Sequence, residues 1–242
     1  MHAHRTVHAM FADALEGGIV ERNPAAGMNK RLPRVPRVEQ RTLNEEEAKW
    51  LLETSKGTRL HTFVTLALYT GARRGELLAL TWPFVDLDSA RVTIAHSLAD
   101  DGTLAEPKRE RSRRTIVLPP AAVGALRAHK AMQASHRLAK GPLYLDRGFL
   151  FADEIGRPWK LSSHATLFKG IAKRAGLDAG VHIHTLRHTF ASLALRAGVP
   201  ITTLAAILGH DTAMLMRVYG HQLPSAEDTA AKALQQALAG AS

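Results

Sequence analysis

One interruption in an otherwise helical pattern constrains the fold of this chain more than any other feature. Within 85–118, β-branched residues alternate with other residues in Arg91-Val-Thr-Ile-Ala and in Arg114-Thr-Ile-Val-Leu, and Asp100-Asp-Gly102 stands between the two halves. A period of two is typical of half-buried strands, while Asp and Gly are typical of turns. The segment therefore predicts a small antiparallel sheet.

The remaining chain has the three- and four-residue apolar spacing of amphipathic helices. Asn44 followed by Glu47 predicts a capping box at the start of one helix. Glycines at 176, 198 and 209 mark helix ends. The other predicted helices are 4–15, 59–69, 74–80, 121–139, 162–175, 185–197, 201–207, 212–219 and 225–238. The predicted fold class is α+β, mostly α: a helical domain with one small antiparallel β-sheet.

Composition favours a nucleic-acid partner. The 242 residues carry a formal net charge of +10, and 45% of them are apolar, which is enough for a sizeable core. Lys and Arg in such excess bind polyanions by releasing counterions from phosphates, so we expect a nucleic acid as partner before a membrane. The absence of cysteine excludes disulfides and thiolate metal sites.

No membrane segment is predicted. Apolar runs stay well short of the roughly 20 residues that span a bilayer, and the first residues lack the apolar stretch of a signal peptide. We therefore expect a cytoplasmic protein.

A Pro- and Arg-rich stretch, Lys30-Arg-Leu-Pro-Arg-Val-Pro-Arg37, separates the first helix from the rest. Its prolines are incompatible with a helix interior or a central strand. We expect a linker over 28–41 that lies along DNA phosphates, with contacts from Lys30, Arg31, Arg34 and Arg37.

Three short segments carry the chemistry: Tyr69-Thr-Gly-Ala-Arg-Arg-Gly-Glu-Leu-Leu78, His184-Thr-Leu-Arg-His-Thr-Phe-Ala-Ser192 and Leu208-Gly-His-Asp-Thr-Ala-Met-Leu-Met-Arg-Val-Tyr-Gly-His221. Cleavage of a phosphodiester by a side-chain hydroxyl needs a nucleophile, fixed cations for the phosphate oxygens and a proton donor for the leaving oxygen. Arginine grips phosphate oxygens with two parallel hydrogen bonds, and histidine transfers protons near neutral pH. Each segment alone is weak, but together they favour such a site.

The three segments resemble the boxes of the tyrosine recombinase, or phage integrase, family: Thr-Gly-x-Arg-x-x-Glu, His-x-x-Arg, and Leu-Gly-His with a tyrosine nine residues later. The resemblance covers about residues 42–223. It implies a catalytic set of Arg73, Lys108, His184, Arg187, His210 and Tyr219.

The resemblance also implies a role for each residue. Tyr219 attacks the scissile phosphate and forms a 3′-phosphotyrosine, while Lys108, just before the second strand, protonates the leaving oxygen. The cations at 73 and 187, with His210, stabilise the phosphate, and His184 exchanges the proton of Tyr219. Glu76 orients a partner rather than reacting. Neither a metal nor another cofactor is required.

The same resemblance divides the chain. Residues 1–27 would be the last helix of a core-binding domain that is otherwise missing, 28–41 the linker and 42–223 the catalytic domain. Residues 224–242 would be a tail helix that docks on a neighbouring subunit or, without DNA, folds back on its own domain. The expected assembly is a homo-tetramer on DNA and a monomer in isolation. Further phosphate contacts are expected from a basic cluster: Arg109, Arg111, Arg113 and Arg114.

Alternatives remain open at this point. His188 lies four residues after His184, which suits a metal site, but no third ligand is evident, and a role in packing or in supporting another site residue is favoured. Residues 193–209 read like a helix-turn-helix, so a DNA-binding protein without cleavage activity is a second hypothesis. A type IB topoisomerase, which shares the chemistry without exchanging DNA partners, is a third.

Overall fold

The computed structural model describes residues 2–28, 40–99, 102–105, 113–220 and 235. The chain forms two units, Met1–Glu39 and Gln40–Ser242. In the first unit, helix α1 spans His2–Glu16, which confirms the predicted first helix. Asn23 fixes the segment that follows, because its Nδ2 donates to the His8 carbonyl oxygen at 2.9 Å. The boundary between the units falls inside the predicted linker 28–41, most of which lies outside the described residues.

The second unit is mostly helical, as predicted. Helix α2 begins with the predicted capping box: Asn44 Oδ1 accepts from the Glu47 amide at 2.8 Å, and the Glu47 carboxylate accepts from the Asn44 amide at 2.9 Å. The helices of this unit are α2 Glu45–Ser55, α3 His61–Thr70, α4 Arg74–Leu78, α5 Pro120–Lys140, α6 Leu161–Arg174, α7 Ile183–Arg196, α8 Ile201–Leu208 and α9 Thr212–Tyr219.

The antiparallel sheet is present where the alternation predicts it. Strands β1 Val85–Asp86, β2 Arg91–Ile94 and β5 Arg114–Val117 form a three-stranded sheet in the order β1-β2-β5. Val92 pairs with Ile116, and both side chains are buried in the core. The sequence did not predict a second, two-stranded sheet between β3 Ser97–Leu98 and β4 Leu104–Ala105. The predicted tail helix 225–238 lies outside the described residues except for Gln235.

The core forms around α3, which contacts α2, α5 and α7. This helix is buried on nearly all sides, and its Phe63 and Leu66 are fully buried. Helix α3 ends at Gly71, whose φ of +59° is costly for residues with a Cβ. An added Cβ would lie 2.4 Å from Phe190 Cδ1 and 2.6 Å from Leu208 Cδ2. A glycine is therefore needed where α3 meets α7 and α8.

A second, smaller apolar cluster joins α7, α8 and α9. It is built from Ala191, Leu195, Leu204, Ala205, Leu208, Leu215 and Tyr219. Gly198 and Gly209, with φ of +84° and +62°, end α7 and α8 as the sequence predicts. Within the part of the chain that the structure describes, no helix combines the length and apolar content needed to cross a bilayer.

Candidate active site

Arg73 is placed by the sharp end of α3. After Gly71 the backbone becomes extended, and Arg73 takes the position just before α4, at the amino end of that short helix. Its amide donates to Glu76 Oε2 at 2.8 Å, and its Nη1 donates to Glu76 Oε1 at 2.9 Å. One carboxylate therefore fixes both the backbone and the guanidinium of Arg73, while 40% of the arginine side chain stays exposed.

Glu76 is the buried anchor of this arrangement. Only 6% of its side chain is exposed, and Arg114 Nη2 donates to its Oε2 at 2.7 Å. Burial raises the pKa of Glu76, but the hydrogen bond and charge of Arg114, with help from Arg73, outweigh burial and bring the pKa to about 2. The carboxylate is thus ionised at neutral pH and holds both the amide and the guanidinium of Arg73; the orienting role expected of it in the reaction stays a prediction.

The position of Arg114 corrects one expectation. It was grouped with the arginines that contact DNA phosphates, but its side chain is 6% exposed and is bound to Glu76. Its Nε also donates to the Ile207 carbonyl oxygen. Because β5 alternates, Arg114 faces inward on the same side as Ile116, whereas Arg113 is exposed. Arg114 ties the sheet to α4 and α8 and is not available to DNA.

Arg187 lies on α7 and is almost fully buried, with 5% exposed. Its Nη1 donates to the Gly71 carbonyl oxygen at 2.6 Å and its Nη2 to the Leu208 carbonyl oxygen at 2.8 Å. Burial and the charge of Arg73 lower the pKa of Arg187 to about 9, so the guanidinium keeps its charge at neutral pH. The buried cation is therefore fixed between the carboxyl ends of α3 and α8.

His210 follows Gly209, which ends α8, and contacts Arg73, which lies 137 residues earlier in the sequence. Arg73 Nη2 lies 2.9 Å from His210 Nε2. Because arginine only donates, Nε2 accepts and the ring proton is on Nδ1, which lies 2.8 Å from Met214 Sδ. Burial, followed by the charges of Arg187 and Arg73, lowers the pKa of His210 to about 4. The imidazole is neutral in the free chain.

Tyr219 is the last residue of α9 and is 5% exposed. Its hydroxyl lies 2.5 Å from His188 Nδ1. Burial raises the pKa of Tyr219 to about 12, although the charge of Arg187 opposes the effect. The phenol is therefore protonated, and it is held among apolar side chains beside the buried arginine.

His184 is exposed, and its ring centroid lies 5.0 Å from that of His188 on the next turn of α7. In the described residues, the histidine hydrogen-bonded to Tyr219 is His188 and not His184. The proton exchange expected of His184 stays a prediction. The sequence favours a packing or supporting role for His188, but no local signal shows that α9 places a hydroxyl against it.

Thr185 completes the amino end of α7. Its Oγ1 lies 2.7 Å from His182 Nδ1 and accepts from the His182 amide at 3.1 Å, which makes a capping box that the sequence did not reveal. A pocket of about 440 Å³ opens beside this end of the helix, with Arg73, His184 and Lys169 among its lining residues. The exposed guanidinium of Arg73 therefore borders this open pocket.

Several expected site residues have no described position. These are Lys30, Arg31, Arg34, Arg37, Lys108, Arg109 and Arg111, and their roles stay predictions. Among the residues that the structure does describe, no group of three or more His, Asp or Glu side chains could hold a metal ion.

The sequence profile of the phage integrase family matches residues 41–225, and the chain belongs to this family, that of the tyrosine recombinases. A tyrosine recombinase XerC-like protein from Caldanaerobacter subterraneus subsp. tengcongensis is 29% identical over 93% of this chain and 62% of its own length. The prophage integrase IntR of Escherichia coli is 30% identical over 89% of this chain and 55% of its own length. The chain thus spans somewhat more than half the length of these relatives.

Solved structures share the fold. The crystal structure of XerA recombinase matches 84% of this chain and 66% of that chain, with a TM-score of 0.63 and 27% identity. The Tn1549 transposon integrase in complex with a circular intermediate DNA matches 98% of this chain and 78% of that chain, with a TM-score of 0.76 and 21% identity. The helical domain with its small antiparallel sheets is therefore the catalytic fold of this family.

Proposed function

We propose that this chain cleaves and rejoins DNA strands through a covalent bond between Tyr219 and a 3′-phosphate. The observation that carries the proposal is the convergence of three distant boxes. Arg73 bonds His210 at 2.9 Å, and Arg187 is close enough to Tyr219 for its charge to act on the phenol. Two arginines, a histidine and a hydroxyl nucleophile are the groups that phosphoryl transfer requires.

The chemistry follows from these groups. The Tyr219 oxygen attacks phosphorus, the bond to the 5′ oxygen breaks, and the phosphoryl charge that develops is stabilised by the two arginines. One phosphate ester replaces another, so the bond energy is kept for rejoining and no ATP is consumed. The tyrosine proton must leave and the 5′ oxygen must gain one. His184 and Lys108 are the proposed agents of these two transfers.

The proposed partner is double-stranded DNA. The net charge of +10 supports it, and related solved structures include a λ integrase dimer bound to a core site. A DNA-cleaving enzyme works where the DNA is, so the cytoplasm is the proposed location. We also propose that the chain is a monomer alone and a homo-tetramer on DNA, joined by the tail 224–242. Deleting residues 225–242 should then abolish pairing of two DNA sites yet spare cleavage of a single site.

The test is covalent capture. The chain is incubated with a pool of nicked duplexes of randomised sequence, denatured in detergent, and the DNA that stays attached is sequenced. The wild type should yield an adduct that mass spectrometry locates at Tyr219, and Tyr219→Phe should yield none. A wild type that binds the pool but forms no more adduct than Tyr219→Phe would refute cleavage and favour a DNA-binding protein without cleavage activity.

A further inference from the structure

The one side chain hydrogen-bonded to the Tyr219 hydroxyl, within the described residues, is outside the catalytic set that the family boxes define. His188 directly follows Arg187 on α7, and its Nδ1 lies 2.5 Å from the Tyr219 oxygen, with the ring centroids 6.0 Å apart. His184 lies one turn earlier on the same face of the helix. The contact joins α7 to the end of α9 across 31 residues of sequence.

Burial shifts the pKa of both groups in this contact. Burial lowers the pKa of His188 to about 4, with further lowering by its neighbours His184 and Arg187, and burial raises the pKa of Tyr219 to about 12. Both groups are therefore neutral near pH 7. In the tautomer with the ring proton of His188 on Nε2, Nδ1 has a free lone pair that accepts the hydroxyl proton.

This geometry restricts the nucleophile. The Tyr219 side chain lies at the end of α9, and a phenol without a partner can place its hydroxyl proton on either side of the oxygen. With the proton directed at His188, the lone pairs of the oxygen point away from α7. Attack on phosphorus uses a lone pair, and a displacement of the reacting oxygen by about 1 Å lowers such rates by roughly a hundredfold.

We propose that His188 is a positioning residue for strand cleavage: its Nδ1 accepts the Tyr219 hydroxyl proton and thereby fixes the nucleophilic oxygen. The inference rests on the proposed function, because positioning matters only if Tyr219 attacks DNA. His188 acts on the nucleophile, and among the described residues its side chain has no hydrogen bond to Arg73, Arg187 or His210.

The first test needs no DNA. Melting temperatures are measured for the wild type, His188→Leu, Tyr219→Phe and the double variant. Each single change leaves one buried polar group without its partner, whereas the double change leaves none. We expect the double variant to melt at about the temperature of the less stable single variant or above it. Additive losses would mean that the two side chains do not interact, and would overturn the inference.

The second test measures cleavage. Single-turnover rates are compared at saturating protein for the wild type, His188→Asn and His188→Leu on a nicked duplex that the wild type cleaves. The Asn side-chain oxygen occupies a place similar to Nδ1 and can accept the same proton, but Leu cannot. We expect Leu to lower the rate at least tenfold with unchanged DNA affinity, and Asn to restore it to within about threefold of the wild type.

The outcomes separate the two proposals. Leucine cleaving as fast as the wild type, or Asn no better than Leu, would overturn the positioning role. A wild type that forms no adduct would instead remove the proposed function and the positioning role with it, and the melting temperatures would still decide whether the Tyr219–His188 contact exists.

Discussion

The Glu76→Gln variant tests the buried anchor of the site, because it removes one charge and keeps the size of the side chain. The pKa of Glu76 falls from its usual 4.5 to about 2. At about 1.4 kcal/mol for each tenfold change in proton affinity, its surroundings stabilise the carboxylate by ~3 kcal/mol. Removing one partner of a buried ion pair typically costs about 3–5 kcal/mol, which agrees.

The variant should therefore lose ~3 kcal/mol of unfolding free energy at pH 7. For a unit of this size that corresponds to a fall in melting temperature of about 6–12 °C. Because the folded-state pKa is lowered, the contribution is complete above pH 4.5 and disappears as the pH falls through about 2. Urea unfolding of both proteins at pH 7 and at pH 3 should show the difference shrinking on acidification.

The matched control is Glu53→Gln. Glu53 pairs with Lys56 at 2.7 Å, but both side chains are about 60% exposed, so the expected loss is below about 0.5 kcal/mol. If Glu76→Gln is as stable at pH 7 as the Glu53 variant, the buried pair contributes nothing net. The reasoning from burial and charge would then be refuted.

Three further predictions concern other packed residues of the second unit. Gly71→Ala should lower the free energy of thermal unfolding by about 2–4 kcal/mol, because the added Cβ overlaps neighbouring side chains and φ is positive. In the control Gly57→Ala, φ is +71° but the Cβ meets open space, so the loss should be only about 1 kcal/mol. His164 is fully buried, and its pKa is lowered to about 4. The free energy of unfolding should therefore fall by ~3 kcal/mol between pH 6.5 and pH 4. Urea titrations of His164→Phe should show a weaker dependence of stability on pH over this range. Arg187→Lys should lose the hydrogen bond to the carbonyl of Gly71 or of Leu208, and melting experiments should show a stability loss on the order of 2 kcal/mol. The variant should also form no covalent adduct with DNA. An adduct at the wild-type level would contradict the proposed role of Arg187.

Local features of the fold could be predicted from the sequence. The Asn44–Glu47 capping box and the helix-ending glycines act over three or four residues, so their signal is complete within a short window. Residue type alone does not determine which side chains of a helix are buried. Trp50 is apolar but 65% exposed, because the buried face of α2 follows Ala48 and Leu51.

The residue types of the site and their order along the chain could be predicted from the sequence. The contacts between residues that are distant in sequence could not. Arg114 was one of several arginines in a basic run, but the strand alternation through Ile116 already placed it on the inward face. Its partner Glu76 is 38 residues away, and no local pattern links them. The contact between His188 and Tyr219 likewise depends on how α9 packs on α7, which only the tertiary structure shows.

The two hydrogen bonds of Arg187 to main-chain oxygens have a consequence for the life of the protein. The guanidinium reaches this position only when the ends of α3 and α8 have come together around it, since their carbonyl groups hold it there. A chain emerging from the ribosome, or one partly unfolded by heat, lacks this fixed cation. If the chain cleaves DNA as proposed, cleavage can begin only after the core around Arg187 has formed.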